Sequence, residues 1–189
     1  LGLDRNALAA LDFTGEPGQA LRMPRADGPT LVAVGVGDPG KLDAAKLRQA
    51  AAAFGRASSR YQRLAVDLTA ASSVSDENAA AAIVEGIILA RYRYDLLRRE
   101  KREVPLDQLT LVTGEDRVAD TRLGAERGRL LAAAGALARD LANTPPSYLT
   151  ATKLAEVATS VAAESGIEAE VFDEDALTAL GCGGLLGVN

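Results

Sequence analysis

The sequence contains no histidine and no tryptophan, one cysteine, one methionine, three phenylalanines and four tyrosines. Without histidine, Ser-His-Asp and Cys-His nucleophilic catalysis, His-ligated zinc and imidazole acid–base chemistry are all excluded within this chain. A lone cysteine, Cys182, excludes an internal disulfide and a thiolate metal cluster. No stretch approaches the roughly 20 apolar residues that a membrane-spanning helix requires. The first thirteen residues lack the basic start, continuous apolar run and small-residue cleavage site of a secretion signal. These absences predict a cytoplasmic protein with no membrane partner. An excess of basic charge is also missing. Lys plus Arg number 21 against 26 Asp plus Glu, a net charge of −5, which makes a nucleic-acid partner unlikely on charge grounds.

What is present is a chain of 189 residues, 48% hydrophobic. That is enough for one full domain with a core and part of another. The chain opens on Leu1 rather than Met, so further residues are expected upstream. It closes on the apolar run Gly183-Gly184-Leu185-Leu186-Gly187-Val188 before Asn189, which reads as a strand cut midway.

Gly15-Glu16-Pro17-Gly18 is a turn, followed by a short apolar segment over 20–23. Leu31-Val32-Ala33-Val34 is a short apolar run closed by glycines, which predicts a buried strand. Asp43 can cap a helix to about residue 56, with Leu47, Ala50, Ala51 and Phe54 at helical spacing. Residues 64–68 read as a second strand. Ser75 or Asp76 then caps a long helix with Ile83, Ile87, Ala90, Tyr94 and Leu97 on one face. Residues 109–113 form a third strand. Strands alternating with helices predict an α/β fold whose largely parallel sheet is covered on both sides.

A further helix is predicted over 120–142, unbroken, with Leu123, Leu130, Ala134, Leu137 and Leu141 as its apolar stripe. Gly124, Gly128 and Gly135 interrupt it only as weak formers, and they suit close packing on a neighbour. Pro145-Pro146 stops it. The pattern then restarts. Thr150 caps a helix carrying Leu154, Val157, Ala158 and Val161, and Ser165-Gly166 ends it. Ile167, Ala169 and Val171 alternate with Glu168 and Glu170, the mark of a strand with one wet face. Asp173 caps a short helix closed by Gly181. Charge changes at the same place: residues 151–189 hold one base, Lys153, against seven acids. The organisation predicted is a domain over 1–118, a connecting helix over 119–142 and a second domain from 143 to 189.

Four features were weighed as carriers of chemistry. Gly35-Val36-Gly37-Asp38-Pro39-Gly40 fits G-x-G-x-x-G after a strand, the pattern that sets backbone amides against a pyrophosphate. Asp43 would stand where phosphate belongs, and the next acid suited to a ribose, Asp67, comes late, so a plain turn is the better reading. Arg91, Arg93, Arg98, Arg99, Lys101 and Arg102 interleave with Tyr92 and Tyr94, as in strand-binding surfaces. Asp95, Glu100 and Glu103 dilute them, and a solvated helix end explains them better. Asp173-Glu174-Asp175 fits a capped helix start better than a metal site. Cys182 has no cation beside it in sequence to activate the thiol, and reads as a small buried side chain.

The stretch Leu137-Ala138-Arg139-Asp140-Leu141-Ala142-Asn143-Thr144-Pro145-Pro146-Ser147-Tyr148-Leu149-Thr150 is more distinctive. It closely resembles the segment leading into the catalytic domain of the metal-dependent leucyl aminopeptidase family, which commonly shows A-R-D-L-x-N-T-P-P-x-x-L-T here. The downstream order is similar too: a capped helix, Val171-Phe172-Asp173-Glu174, then Leu180-Gly181-Cys182-Gly183-Gly184-Leu185-Leu186-Gly187-Val188. Val84-Glu85-Gly86 and Tyr92-Arg93-Tyr94-Asp95 resemble the long helix of the family's N-terminal domain. The resemblance implies a macro-domain-like N-terminal α/β domain with a mixed, mostly parallel sheet, a long connecting helix and the start of a second, catalytic α/β domain. It implies hydrolysis of N-terminal residues from peptides, leucine preferred, by two divalent metal ions per subunit, manganese or zinc, in a homohexamer. The family's Lys, Asp and Glu ligands, its catalytic Lys and Arg and its N-T-D-A-E-G-R-L signature do not occur in this chain. No catalytic, cofactor-binding or metal-ligating residue is therefore assigned, and no metal is expected to be bound by this chain itself. A free-standing macro-like module for ADP-ribose or another nucleotide is the alternative, carried only by the loop at 35–40.

Overall fold

The structure is a computed structural model that describes residues 4–69, 73–100 and 104–188. Leu1, Lys101, Arg102, Glu103 and Asn189, which the sequence reading invokes, lie outside the described residues. The chain divides into two compact units, Leu1–Asp140 and Leu141–Asn189.

The first unit opens with a short helix α1 (Arg5–Ala9), capped by Asp4. Strands β1 (Ala20–Met23) and β2 (Leu31–Val34) pair antiparallel, Ala20 opposite Val34 and Met23 opposite Leu31. The apolar segment at 20–23 is thus a strand in its own right. Helix α2 (Ala44–Ala57) starts where predicted, because the Asp43 carboxylate accepts the Lys46 N–H at 2.8 Å. Strands β3 (Arg63–Asp67) and β4 (Gln108–Val112) pair parallel, Leu64 opposite Leu109, with α3 (Asp76–Ala90) as the crossover between them. The expected alternation is present. The fold is a mixed α/β arrangement, with one antiparallel and one parallel strand pair among the described residues. Leu64, Leu68, Ala51, Ala80, Ile83 and Ile87 form the main core, joined by Phe54, Leu109 and Leu111.

Two helices depart from their predicted form. Helix α3 ends at Ala90, so Tyr94 and Leu97 do not continue its face. Arg91 is its C-cap: its N–H still reaches Ile87, while its side chain ties the helix end to other backbone. Its guanidinium donates to the carbonyls of Tyr61 at 2.8 Å, Ser59 at 3.1 Å and Val104 at 2.7 Å. The cations from Arg93 onward therefore lie beyond the helix and not on its last turn, contrary to the expected helix-end placement.

Helix α4 (Val118–Asn143) is unbroken, as predicted, and ends just before Pro145-Pro146. Its buried face is not the leucine stripe. Leu123 and Leu130 are 56% and 62% exposed, while Thr121, Gly124, Gly128 and Ala132 are buried. These four positions also recur at helical spacing. Small residues occupy the contact because they let the α4 backbone reach the alanine-rich face of α3. A Cβ on Gly124 would lie 2.1 Å from the Glu77 carbonyl oxygen, and one on Gly128 2.5 Å from that of Ala81. At Gly135 the nearest atom is the flexible Leu89 Cδ2, 3.2 Å away. The contacts advance together along both chains, so the two helices run parallel. At their N-terminal ends Arg117 Nε donates to Asp76 Oδ1 at 2.7 Å.

The second unit contains α5 (Ala151–Ser165), α6 (Glu174–Ala179) and α7 (Gly183–Leu186). Thr150 caps α5, accepting the Lys153 N–H at 3.3 Å, and Gly166 ends it in the left-handed region at φ 68°. Asp173 caps α6, accepting the Ala176 N–H at 2.9 Å. The predicted strand at 167–171 is not formed. Alternation fixes two faces, but a strand exists only where a neighbour takes up its backbone groups, and the unit's described residues contain no strand. Glu168 and Glu170 accordingly share no sheet face. The apolar run from Gly183 is also not a strand. It turns into α7, where the Gly187 N–H reaches the Gly183 carbonyl at 2.9 Å.

Two outcomes are expected. Gly124→Ala should destabilise the protein by about 3 kcal/mol through overpacking, whereas Gly135→Ala should be near neutral, because the helix-propensity gain of about 1 kcal/mol offsets a mild clash. Urea denaturation of both variants decides it; equal losses would show that the helices do not meet this closely. The second concerns acid. The Arg117 guanidinium bonded to Asp76 holds that carboxyl below its ordinary value. Its stabilising contribution is complete above the unfolded value, near pH 4, and is lost as pH falls through the lowered one. The melting-temperature gap between wild type and Asp76→Asn should therefore be widest near neutrality and close in strong acid. A gap independent of pH would contradict the pairing.

Candidate functional site

The glycine loop was the sequence's hint of a nucleotide site, and its glycine amides are bonded within the chain. The Gly35 N–H donates to the Gln19 carbonyl and the Gly37 N–H to that of Gly15, each at 2.9 Å. The Gly40 N–H donates to Asp38 Oδ1 at 2.9 Å, inside a short 3-10 turn over Pro39–Lys41. The first free amide of α2 is taken by Asp43, and this bond, with the Lys46 ammonium close by, holds the Asp43 carboxyl below its ordinary value. A Cβ on Gly35 would lie 2.0 Å from the Glu16 carbonyl oxygen. The glycines thus serve the seating of the 15–18 turn against β2. All three glycine amides of the loop are thus bonded within the chain. Asp67 is likewise engaged: its Oδ1 accepts from the Thr69 hydroxyl at 2.7 Å and the Thr69 N–H at 2.9 Å, which lowers its pKa.

The remaining candidates are also structural. Arg98 pairs with Asp95 at 3.4 Å. Asp173 is an N-cap, with Glu174 and Asp175 in the first turn of α6. Cys182 is half-buried and precedes α7. Among the described residues no group of three or more Cys, Asp and Glu side chains is arranged to hold a metal ion. A cavity of about 670 Å³ opens between α3, β4 and α4, lined by Val84, Ile88, Leu109, Leu111, Ala125 and Ala136, with Arg129 and Glu126 also in the wall. Its lining is mainly apolar, and Arg91, Tyr92 and Arg93 add polar groups to the wall.

One arrangement escaped the sequence reading. The Tyr92 hydroxyl donates to Asp140 Oδ1 at 2.8 Å, the Arg139 guanidinium lies 5.4 Å from the Tyr92 ring centre, and Arg139 Nη1 donates to the Leu89 carbonyl at 3.0 Å. Two residues of the distinctive 137–150 stretch therefore grip the chain just beyond α3. Nothing in spacing announces a partner 48 positions away; only the fold brings them together.

Residues 3–101 match the N-terminal domain of the cytosol aminopeptidase family, and residues 136–189 match that family's catalytic domain. The chain belongs to the cytosol aminopeptidase family. The chain is 33% identical over 191 residues to a probable cytosol aminopeptidase of Rhodococcus jostii (strain RHA1), covering 97% of this chain and 36% of the relative. The bottromycin maturation enzyme BotP, solved in complex with Mn, superposes with a TM-score of 0.80 at 33% identity, over 96% of this chain and 38% of BotP. Tomato leucine aminopeptidase gives a TM-score of 0.78 at 22% identity over 93% of this chain and 35% of its own, a likeness of fold. The chain thus spans little more than a third of the length of these relatives, and it corresponds to the N-terminal portion of a family member. The homologues are cytosol aminopeptidases, and no described helix is long and apolar enough to cross a membrane.

The engaged amides generate an expected outcome. Calorimetric titration with ADP-ribose or NAD should give no binding heat up to about millimolar ligand, a Kd range worth only about 4 kcal/mol. Micromolar binding would overturn the assignment of the 35–40 loop as a turn.

Proposed function

We propose that the full-length protein is a cytoplasmic metallo-aminopeptidase that removes N-terminal residues from peptides, with leucine favoured, and that the chain described above is its non-catalytic N-terminal part. The single observation that carries this reading is the order of the two family matches on one chain. An N-terminal domain is followed by the start of a catalytic domain, joined through the Arg139-to-Pro146 stretch. The relatives' names supply the activity, and the complex of BotP with Mn supports a divalent metal. Two such ions, manganese or zinc, and assembly into a homohexamer belong to the same proposal.

The residues in hand do not fit the metal centre. A two-metal hydrolytic site needs several converging carboxylates with room for a water. The densest acids, at 168–175, are divided between an extended segment and the start of α6. The ligands are placed in the remainder of the protein. The share of this chain is to build a rigid α/β body and carry α4 to the point where the catalytic sequence begins.

The test is direct. The full-length gene product should hydrolyse a leucine anilide, lose activity to a chelator and regain it with manganese. Residues 1–189 expressed alone should stay at the buffer blank with either metal. A full-length protein that no divalent metal activates, or turnover by residues 1–189 free of host peptidases, would refute the proposal.

A further inference from the structure

We propose that Tyr92, Arg139 and Asp140 form a latch that seats the last turns of α4, and that they act as positioning residues through which the N-terminal domain sets the start of the catalytic domain. Close packing holds α4 only along part of its length. The glycine contacts run from Gly124 to Gly135, and beyond them Ala138, Arg139, Ala142 and Asn143 are exposed. Polar contacts take over there, and Arg139 and Asp140 reach Leu89 and Tyr92. Arg139 places its charge on the Leu89 carbonyl in the last turn of α3, where a helix favours a cation. The same guanidinium covers the Tyr92 ring. The Tyr92 hydroxyl meets the Asp140 carboxylate at 2.8 Å in a part-buried, charge-assisted bond.

The geometry does more than add contacts. Residues 139 and 140 are consecutive, about 100° apart around a helix of 3.6 residues per turn. Gripping one tyrosine by its face and by its hydroxyl, they fix the roll of α4 about its own axis as well as its distance. Small-residue packing alone permits sliding and rolling, because it is non-directional. The latch also crosses a boundary. Tyr92 lies in the stretch that matches the family's N-terminal domain, Arg139 and Asp140 in the stretch that matches its catalytic domain. All three nonetheless belong to one compact unit. Error in the roll of α4 would pass to the Asn143-Thr144-Pro145-Pro146 stretch that leads onward, and misplacement of about 1 Å is enough to slow an enzyme severely.

The test uses the full-length gene product with Tyr92→Phe, Asp140→Ala, Asp140→Asn and the Tyr92→Phe/Asp140→Ala double variant. Amide exchange over residues 136–143 and the kcat and KM for a leucine anilide are measured well below the melting temperature. Tyr92→Phe and Asp140→Ala should each speed exchange in that segment about tenfold, equivalent to about 1.4 kcal/mol. They should lower kcat at least threefold with KM within twofold. Asp140→Asn, which keeps an acceptor oxygen but not the charge, should fall between wild type and Asp140→Ala. Adding Tyr92→Phe to Asp140→Ala should change nothing further. Unchanged exchange, additive single effects, faster exchange spread over the whole chain, or faster local exchange with an unaltered kcat would each overturn the proposal. The kinetic arm rests on the aminopeptidase reading. The exchange arm does not, so an inactive wild type would sink that reading while the exchange still decided the latch.

Discussion

The approach of two helix backbones to within a glycine's breadth governs this structure. At Gly124 and Gly128 the α4 main chain meets the carbonyls of Glu77 and Ala81 with no room for a side chain. Such contact is helped by small residues on the partner, and α3 supplies buried Ala81 opposite Gly128. The cost is real, since each glycine in a helix interior forgoes about 1 kcal/mol relative to alanine. What is gained is dense dispersion contact along two parallel rods. The contact is tied at one end by Arg117 and Asp76 and at the other by Arg139, Tyr92 and Asp140. Directional bonds at the ends fix what the non-directional middle leaves free.

The same economy shows in the loops, where several backbone donors are closed by the chain's own groups. Gln19 Oε1 collects the amides of Thr14, Gly15 and Glu16, Asp38 that of Gly40, and Asp43 that of Lys46. These bonds stiffen the turns they close, and the carboxylates of Asp38 and Asp43 serve as caps.

Much of this was legible in the sequence where a local rule suffices. Asp43, Thr150 and Asp173 are short polar residues before helical runs, and each caps the helix that follows. Gly166 and the proline pair ended their helices for reasons internal to one or two residues. The failures share a cause: each depended on a partner outside the window being read. The stripe of Leu123 and Leu130 outweighs a glycine stripe on any hydrophobicity scale, until α3 is seen to need the smaller residues. The alternation at 167–171 is a strand's pattern with no neighbouring strand to bond it. Helix α3 looked longer because Tyr94 and Leu97 keep its period, although the helix ends at Ala90 and the Arg91 side chain bonds carbonyls far along the chain. The distinctive stretch at 137–150 pointed to the family, yet nothing in it revealed that Arg139 and Asp140 hold Tyr92.

Arg91 carries a consequence in time rather than in space. Its three carbonyl partners stand 32, 30 and 13 positions from it. They come from the turn before β3 and from the approach to β4. The full set cannot be made until β3, α3 and β4 have come together, so the guanidinium completes this corner and does not start it. One side chain thereby holds three carbonyls from two separate segments, and its loss would free all three together.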